Sequence, residues 1–178
     1  MKATGIVRRI DDLGRVVIPK EIRRTMRIRE GDPMEIYTNT DGEVIFKKYS
    51  PINELSESAA SCAEVIHKLG GVPVIIFDRD HVVAVSGAPK REFLERRLSS
   101  AIDEVLESRR SWSYDGEGKA LCPVEGVDRH ALAITPIVAG GDISGAVCFM
   151  ATDEQTKGST MLTTLSQTAA GFLGRQLE

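Results

Sequence analysis

Short apolar runs separated by turn residues open the chain. Two β-branched runs favour strands over residues 5–10 and 15–18. The polar stretch between them ends in Gly14, which can adopt the positive φ that tight turns need. Pro19 stops the second strand because proline donates no hydrogen bond to a ladder. The pattern therefore predicts a β-hairpin at the start of the chain.

A short helix is predicted directly after this hairpin, over residues 20–26. A proline at the start of the first turn favours helix formation. Ile22 and Met26 are four residues apart and are expected to share one buried face. Arg23 and Arg24 would then lie beside that face and point to solvent, so the helix presents arginines on its outer side.

Two further strands complete the first part of the chain. They are predicted over residues 34–37 and 44–47, and the turn between them contains Asp41-Gly42, a dipeptide typical of hairpins. Elements this short within about 50 residues cannot bury much apolar surface in a single copy. We therefore expect residues 1–50 to form an obligate dimer.

The remainder of the chain has longer apolar elements. A linker is predicted over residues 51–55, and an apolar stripe at steps of three and four residues predicts a helix over 54–69. A second long helix with such a stripe is predicted over 159–178. The expected domains are therefore 1–50 and 56–178, joined by the linker.

Strands, turns and shorter helices alternate between the two long helices. Helical segments are predicted after Pro89, with a break near Ser99, followed by a polar loop over residues 111–119. The predicted strands are 74–77, 81–85, 121–124, 130–134 and the two arms of a glycine-turned hairpin over 135–150. Antiparallel strands flanked by helices predict an α+β fold.

Positive charge is concentrated near the N-terminus. Residues 1–29 contain nine Lys or Arg and three acidic side chains, although the whole chain has a formal net charge of −3. Residues 1–50 have a net charge of +3, and residues 51–178 have a net charge of −6. A basic segment built on short strands is a candidate nucleic-acid surface. Solvated lysines and arginines are the alternative interpretation, and charge alone leaves both open.

The composition argues against several other classes. The N-terminus has no recognisable secretory signal, so we expect a cytoplasmic protein. In that setting, three widely spaced cysteines without a CxxC pair indicate reduced thiols. The cysteines and histidines form no cluster, so we expect no metal, no cofactor and no catalytic residues. The sequence has no apolar run of about 18 residues and no recognisable secretory signal, so we expect no membrane association.

The basic segment also resembles a known family. Residues 12–19 (DLGRVVIP), residues 21–24 (EIRR) and Gly31-Asp32 resemble the AbrB-type swapped-hairpin DNA-binding domain. The resemblance implies that two chains interleave their hairpins into one β-barrel that binds double-stranded DNA. It also implies a set of basic contact residues. They are Arg8, Arg15, Arg23 and Arg24, with Arg9 and Lys2 as additional phosphate contacts.

The second domain resembles a GAF domain, a sensory module. The resemblance depends on the glycine-turned hairpin that includes residues 136–147 (PIVAGGDISGAV). It implies an antiparallel sheet with flanking helices that can hold an unknown small-molecule effector. The candidate pocket residues are Phe77, Ser86 and Thr135, together with the loop 111–119. Ordinary packing or surface exposure is the alternative role for each of them.

The whole chain resembles a family of two-domain regulators of sporulation genes, which implies a cytoplasmic transcription factor of the forespore. The stripes on helices 54–69 and 159–178 predict a helix bundle between subunits, which with a dimeric first domain would yield a homodimer or a homotetramer. The alternative is that each stripe only covers its own sheet.

Two other functional classes compete with a transcription factor. An antitoxin-like autoregulator that binds a partner protein usually has a disordered tail, and residues 54–178 are too apolar for one. A thiol-dependent enzyme would need paired cysteines, which the spacing of the three cysteines does not offer.

Overall fold

The chain divides into two compact units in a computed structural model that describes residues 4–178. We call Met1–Tyr49 the N-terminal unit and Ser50–Glu178 the C-terminal unit. A short helix, α2 (Pro51–Glu54), occupies most of the predicted linker 51–55, and its Ile52 is completely buried in the C-terminal unit. The segment is therefore part of that unit, because Ile52 anchors it to an apolar core.

The N-terminal unit has one helix and one hairpin within the described residues. They are α1 (Lys20–Thr25), β1 (Met34–Thr38) and β2 (Val44–Lys48). The two strands are antiparallel. In the turn between them, the Oδ1 atom of Asn39 accepts the backbone N–H groups of Asp41 at 3.1 Å and Glu43 at 2.9 Å. The predicted helix and this predicted hairpin are confirmed.

The predicted strands 5–10 and 15–18 are absent from the described part of the N-terminal unit. The segment forms only a turn, in which Asp11 N–H donates to the Arg15 carbonyl and Gly14 N–H donates to the Asp11 carbonyl, both at 3.0 Å. A strand needs a neighbouring strand to complete its ladder. No backbone hydrogen bond joins described residues of this segment to a distant part of the chain, so no ladder forms within one copy.

Burial is low throughout the described residues of the N-terminal unit, where Pro19 alone is buried and the others are half-buried or exposed. The prediction that Met26 shares a buried face with Ile22 is wrong for the single chain, because the Met26 side chain is 54% exposed.

The C-terminal unit is a five-stranded antiparallel sheet flanked by helices, which confirms the predicted α+β fold. Its strands lie in the order β4-β3-β7-β6-β5. The elements are α3 (Ser56–Gly70), β3 (Val74–Phe77), β4 (Val82–Ser86), α4 (Lys90–Phe93), α5 (Asp103–Ser108), β5 (Trp112–Ser113), β6 (Ala131–Ala139), β7 (Asp142–Met150) and α6 (Thr160–Gln176).

The segment between β4 and β6 differs most from the sequence prediction. The predicted strand 121–124 is reduced to one bridge between Leu98 and Val124. The two predicted helices become α4, a 3-10 turn over Ser100–Ile102 and α5. These short pieces form because Leu98, Val124 and Ile102 all pack separately against one face of the sheet instead of forming a continuous helical stripe.

The sheet separates two apolar cores. The first core lies between the sheet and helices α3 and α6, and includes Phe149 and Leu162. The second lies on the opposite face, beneath α4 and α5, and includes Phe77 and Phe93. All four side chains are at most 1% exposed. Complete burial of each contributes about 1.5–3 kcal/mol, so both faces of the sheet stabilise this unit.

Candidate nucleic-acid interface

Five of the six predicted DNA-contacting residues lie in the described part of the N-terminal unit, and all five are exposed. We keep the name first hairpin for residues 5–18, of which one copy forms only the turn. Two of the arginines precede this turn, one follows it, and two lie on α1. The five residues are Arg8, Arg9, Arg15, Arg23 and Arg24. The sixth, Lys2, lies outside the described residues.

Asp11 organises the turn of the first hairpin. Its Oδ1 atom accepts the backbone N–H groups of Leu13 at 3.0 Å and Arg15 at 2.8 Å. Its Oδ2 atom accepts the Arg15 Nε–H at 2.8 Å. Backbone and side-chain hydrogen bonds from Arg15 lower the pKa of the Asp11 carboxyl group. Because the contact uses only Nε, the two terminal nitrogens of the guanidinium group can make a bidentate contact with an anionic group such as a phosphate.

Helix α1 presents Arg23 and Arg24 in its last turn and Glu21 in its first turn. This distribution complements the helix dipole, whose positive end lies at the N-terminus. Consecutive residues are separated by about 100° around a helix axis, since a turn contains about 3.6 residues. The two arginines therefore extend in different directions over the outer surface of α1.

The first hairpin combines these arginines with unusually exposed apolar side chains. Val7 is 88% exposed, and Ile10, Leu13 and Val17 are each 70% exposed. On the second hairpin, Ile36 is 61% exposed. In soluble proteins, a large patch of exposed apolar side chains marks an interaction site. The N-terminal unit thus carries both a basic surface and an uncovered apolar surface.

The three candidate pocket residues of the C-terminal unit do not converge. Phe77 belongs to the core beneath α4 and α5. Ser86 is paired with Val74, whose side chain belongs to the core beneath α3 and α6. Thr135 faces the same core, where its Oγ1 atom lies 2.8 Å from the Ser166 Oγ atom. The prediction of one shared pocket is wrong because side chains alternate between the faces of a sheet.

The predicted loop 111–119 is partly ordered by its neighbours. It includes β5, one of the two edge strands of the sheet. The Tyr114 carbonyl accepts the Gly158 N–H at 2.7 Å, and the Tyr114 ring contacts the His130 ring edge-to-face. The Thr135 hydroxyl donates to the Ser111 Oγ atom at 3.0 Å. The start of the loop is therefore joined to the sheet.

The cysteine thiols of the C-terminal unit are poorly reactive. Cys148 is fully buried, and burial raises the pKa of its thiol far above the ordinary range. Burial also raises the pKa of Cys62 and of Cys122. Thiols with raised pKa values are poor nucleophiles because the thiolate is the reactive form. Within residues 4–178, no group of three or more His, Cys, Asp or Glu is placed to hold a metal ion.

The long helices also have exposed apolar side chains. On α3, Val65 is 57% and Leu69 is 62% exposed, and on α6, Met161 is 53% and Phe172 is 50% exposed. These residues lie outside the stripes that pack against the sheet. No helix in the described range is long and apolar enough to cross a bilayer.

A basic hairpin unit joined to an α+β domain is the architecture of a two-domain DNA-binding transcription factor. The profile of the family described as "Stage V sporulation protein T C-terminal, transcription factor" matches residues 54–178. The profile described as "Antidote-toxin recognition MazE, bacterial antitoxin" matches residues 7–53. The chain therefore belongs to the stage V sporulation protein T family of transcription factors, which is not a family of enzymes.

Individual relatives agree with this assignment. The chain is 50% identical to stage V sporulation protein T of Bacillus subtilis over 180 residues, which cover 100% of this chain and 99% of that protein. It is 61% identical over 51 residues to the transition state regulatory protein AbrB of the same organism, covering 29% of this chain and 52% of AbrB. The predicted AbrB-like domain is thereby confirmed, and the N-terminal unit is the DNA-binding domain.

The C-terminal unit has a GAF-like fold. It is similar to the GAF domain of a phosphoenolpyruvate-protein phosphotransferase from Coxiella burnetii, with a TM-score of 0.56. The similarity covers 69% of this chain and 82% of that chain at 14% identity. At this identity the similarity shows the fold and carries no conclusion about a ligand.

Proposed function

We propose that two chains interleave their N-terminal units to form one DNA-binding structure. The observation that carries this proposal is the exposure of the first hairpin, where Val7, Ile10 and Val17 are between 70% and 88% exposed. A second copy can supply both the missing strand partners and the missing apolar cover. Burial of each such side chain contributes about 1.5–3 kcal/mol, which offsets the entropy of association.

The same assembly brings two sets of basic residues to one duplex. In this proposal the DNA contacts come from Arg8, Arg15, Arg23 and Arg24, with Arg9 and Lys2 as additional phosphate contacts. Arginine suits this role because its planar guanidinium group bonds phosphates and guanine edges bidentately. Two-fold symmetry then leads to paired half-sites on the DNA.

DNA shape contributes to recognition in this proposal. Helix α1 contains six residues, which is short for a helix that reads base edges along a major groove. Flexible arginines on turns can instead follow the phosphate backbone of a deformable duplex. Binding should weaken with salt by about 0.9 log units in affinity per log unit of salt for each phosphate contacted.

We further propose that the C-terminal units associate through α3 and α6, so that two dimers form a tetramer. Val65 and Leu69 on α3, and Met161 and Phe172 on α6, provide the exposed apolar surface for this contact. A small-molecule effector that prefers one arrangement of these units would change the spacing of the DNA-binding units. The proposed setting is the regulation of sporulation genes in the forespore.

An antitoxin-like autoregulator is the second candidate, because the MazE profile matches residues 7–53. Toxin neutralisation usually requires a segment that wraps the toxin as it folds. Here the residues after the matched segment form a domain with two apolar cores. The match is therefore better explained by a shared DNA-binding fold, and a toxin that copurifies with the full chain would favour the second candidate.

The DNA-binding proposal is tested with the full chain and single arginine variants. Arg15→Ala, Arg23→Ala and Arg24→Ala should reduce binding of genomic fragments selected with the wild type to the level of non-specific DNA. Arg91→Ala is the matched control, since Arg91 is an exposed arginine of the C-terminal unit. Fluorescence anisotropy at fixed salt measures affinity, and sedimentation confirms that the oligomer is intact. Wild-type affinity in all three variants would reject these contacts.

A further inference from the structure

We propose that an ion pair between Asp32 and Lys48 positions the arginines of α1 for contact with DNA, a role that rests on the proposed function. Asp32 lies between α1 and β1, and Lys48 is the last residue of β2. The Lys48 Nζ atom lies 3.5 Å from the Asp32 Oδ2 atom. The pair therefore joins the segment that follows α1 to the second hairpin, which β1 and β2 form.

Both side chains of this pair are largely shielded from water. The Asp32 side chain is 4% exposed, and the Lys48 side chain is 23% exposed. Ion pairs on an open surface contribute little, because water screens the charges and both side chains stay mobile. A shielded pair with further hydrogen bonds has a defined geometry instead, so it can hold two segments of the chain in a fixed relation.

Each partner of the pair also binds the backbone of the segment that follows α1. The Lys48 Nζ atom donates to the Arg27 carbonyl at 2.8 Å. The Asp32 Oδ2 atom accepts the Arg29 N–H at 2.7 Å. One ammonium group and one carboxylate thus hold two points of the chain directly after the helix, and a shift of either side chain would move this segment.

The segment is joined in turn to the last turn of α1. The Ile28 N–H donates to the Arg23 carbonyl at 2.8 Å, and the Arg27 N–H donates to the Arg24 carbonyl at 3.3 Å. Hydrogen bonds of this kind close the end of a helix. The ion pair is therefore one step of hydrogen bonds away from the backbone of Arg23 and Arg24, the two residues of α1 that we propose to contact DNA.

The position of an arginine matters more for sequence selection than for general attraction to DNA. A bidentate contact requires a fixed direction of approach, whether the acceptor is a base edge or a phosphate of a deformed duplex. Attraction to phosphates in general depends mainly on charge. Loss of the ion pair through Asp32 should therefore weaken binding to selected DNA, although removal of an acidic group near a polyanion would by itself strengthen binding.

The test measures the ratio of the affinities for selected and random duplexes at fixed salt, with the full-length chain. Asp32→Asn keeps an oxygen that can accept the Arg29 N–H and removes the charge that pairs with Lys48. Affinity for the selected fragments should fall by about 10-fold, which corresponds to the loss of one bidentate contact. Affinity for random duplexes should change by less than about 2-fold, because the basic residues remain.

Asp41→Asn is the matched control for the carboxylate. Asp41 is exposed in the turn of the second hairpin, and the Asn-Gly dipeptide that the change creates also favours such a turn. The control removes the same charge from the same unit, at a site that does not hold α1. It should leave the ratio of the two affinities unchanged.

Lys48→Met tests the same ion pair from its other partner. Lys47→Met is its control, because it removes the same charge from the neighbouring position of β2. Lys47 is exposed, and its Nζ atom lies 4.6 Å from the centre of the Tyr37 ring. Both changes should weaken binding to every duplex, since each removes a positive charge. Only Lys48→Met should also lower the ratio of the affinities for selected and random DNA.

Sedimentation and the melting temperature establish which variants assemble as the wild type does. The inference is overturned if assembled Asp32→Asn keeps the wild-type ratio, or if it lowers both affinities by the same factor, as a loss of folded protein would. If Asp32→Asn does not assemble, Lys48→Met decides by the same criterion. Failure of both to assemble would assign the pair a structural role alone and overturn the inference. Failure of the wild type to bind any duplex would reject the proposed function, and this inference with it.

Discussion

The two units of this chain differ in how much of their apolar surface one copy can bury. The C-terminal unit fills both faces of its sheet, and Phe149 and Phe77 are completely buried there. Among the described residues of the N-terminal unit, Pro19 alone is buried, and Val7 is 88% exposed. The N-terminal unit therefore has apolar side chains suited to a core, but a single copy provides no second layer to cover them.

The largest expected effect comes from removing a large side chain from the core between the sheet and helices α3 and α6. Phe149→Ala should lower the free energy of unfolding of the C-terminal unit by about 3–5 kcal/mol, because the lost ring leaves a cavity in the centre of the sheet. Denaturant unfolding followed by the fluorescence of Trp112 measures this. Leu94→Ala, at a position directly after α4 that is 40% exposed, is the control and should change that free energy much less. Equal losses would show that the burial described here is incorrect.

A charge introduced into the first hairpin should weaken the association of the N-terminal units. Val17→Asp would bury a carboxylate between two chains if they interleave, and an unpaired buried charge costs several kcal/mol. We expect association to weaken by about 100-fold or more, with loss of DNA binding. Sedimentation over a concentration series measures this, and Thr40→Asp in the exposed second turn is the control. An unaltered oligomer in Val17→Asp would contradict the interleaved arrangement.

Two glycines of the C-terminal unit should respond to alanine substitution in opposite directions. A Cβ at Gly145 would lie 2.1 Å from the Phe77 carbonyl oxygen, which is backbone and cannot move away freely. Gly145→Ala should therefore destabilise the unit by about 1–3 kcal/mol. A Cβ at Gly171 on α6 would meet no atom within 4 Å, so Gly171→Ala should stabilise it by about 0.5–1 kcal/mol. Thermal unfolding distinguishes the pair, and a destabilised Gly171→Ala would disagree with its exposure.

The smallest effect concerns the turn of the first hairpin. The lowered pKa of Asp11 means that its carboxylate stabilises the turn above the ordinary pKa of aspartate, and the contribution is lost as the pH falls through the lowered value. Because Asp11 is exposed, the change in stability should be small. NMR titration of the Asp11 carboxyl group should give a midpoint in Arg15→Ala that is higher than in the wild type but still below the ordinary value, because the backbone N–H groups of residues 13 and 15 continue to donate to the carboxylate. Identical midpoints in the two proteins would show that the Arg15 side chain does not hold the carboxylate.

Sequence patterns predicted the elements whose partners lie in the same chain. The second hairpin followed from its Asp41-Gly42 turn, and α6 followed from its apolar stripe, with Ser159 as the capping residue. The first hairpin has the same local signals, yet it forms no strands in one copy because its ladder partners are not in the described chain. Local propensity therefore predicts a strand, and a partner decides whether it forms.

The candidate sites were predictable to different degrees. The arginines of the N-terminal unit followed from charge and from resemblance, and the structure places them on an exposed surface. The prediction that Phe77, Ser86 and Thr135 line one pocket was wrong. The face of the sheet to which each side chain points depends on the exact position of the residue in its strand, which the sequence pattern did not define.

Interchain contact at the first hairpin is the most direct test of the account. The experiment mixes methyl-labelled and unlabelled full-length chains, allows them to exchange, and records nuclear Overhauser effects between the two kinds of chain. The account predicts strong effects between the labelled methyl groups of Val7 and Val17 and protons of an unlabelled chain. If these methyl groups contact only their own chain, or remain solvent-exposed in a DNA-binding protein, the central claim is contradicted.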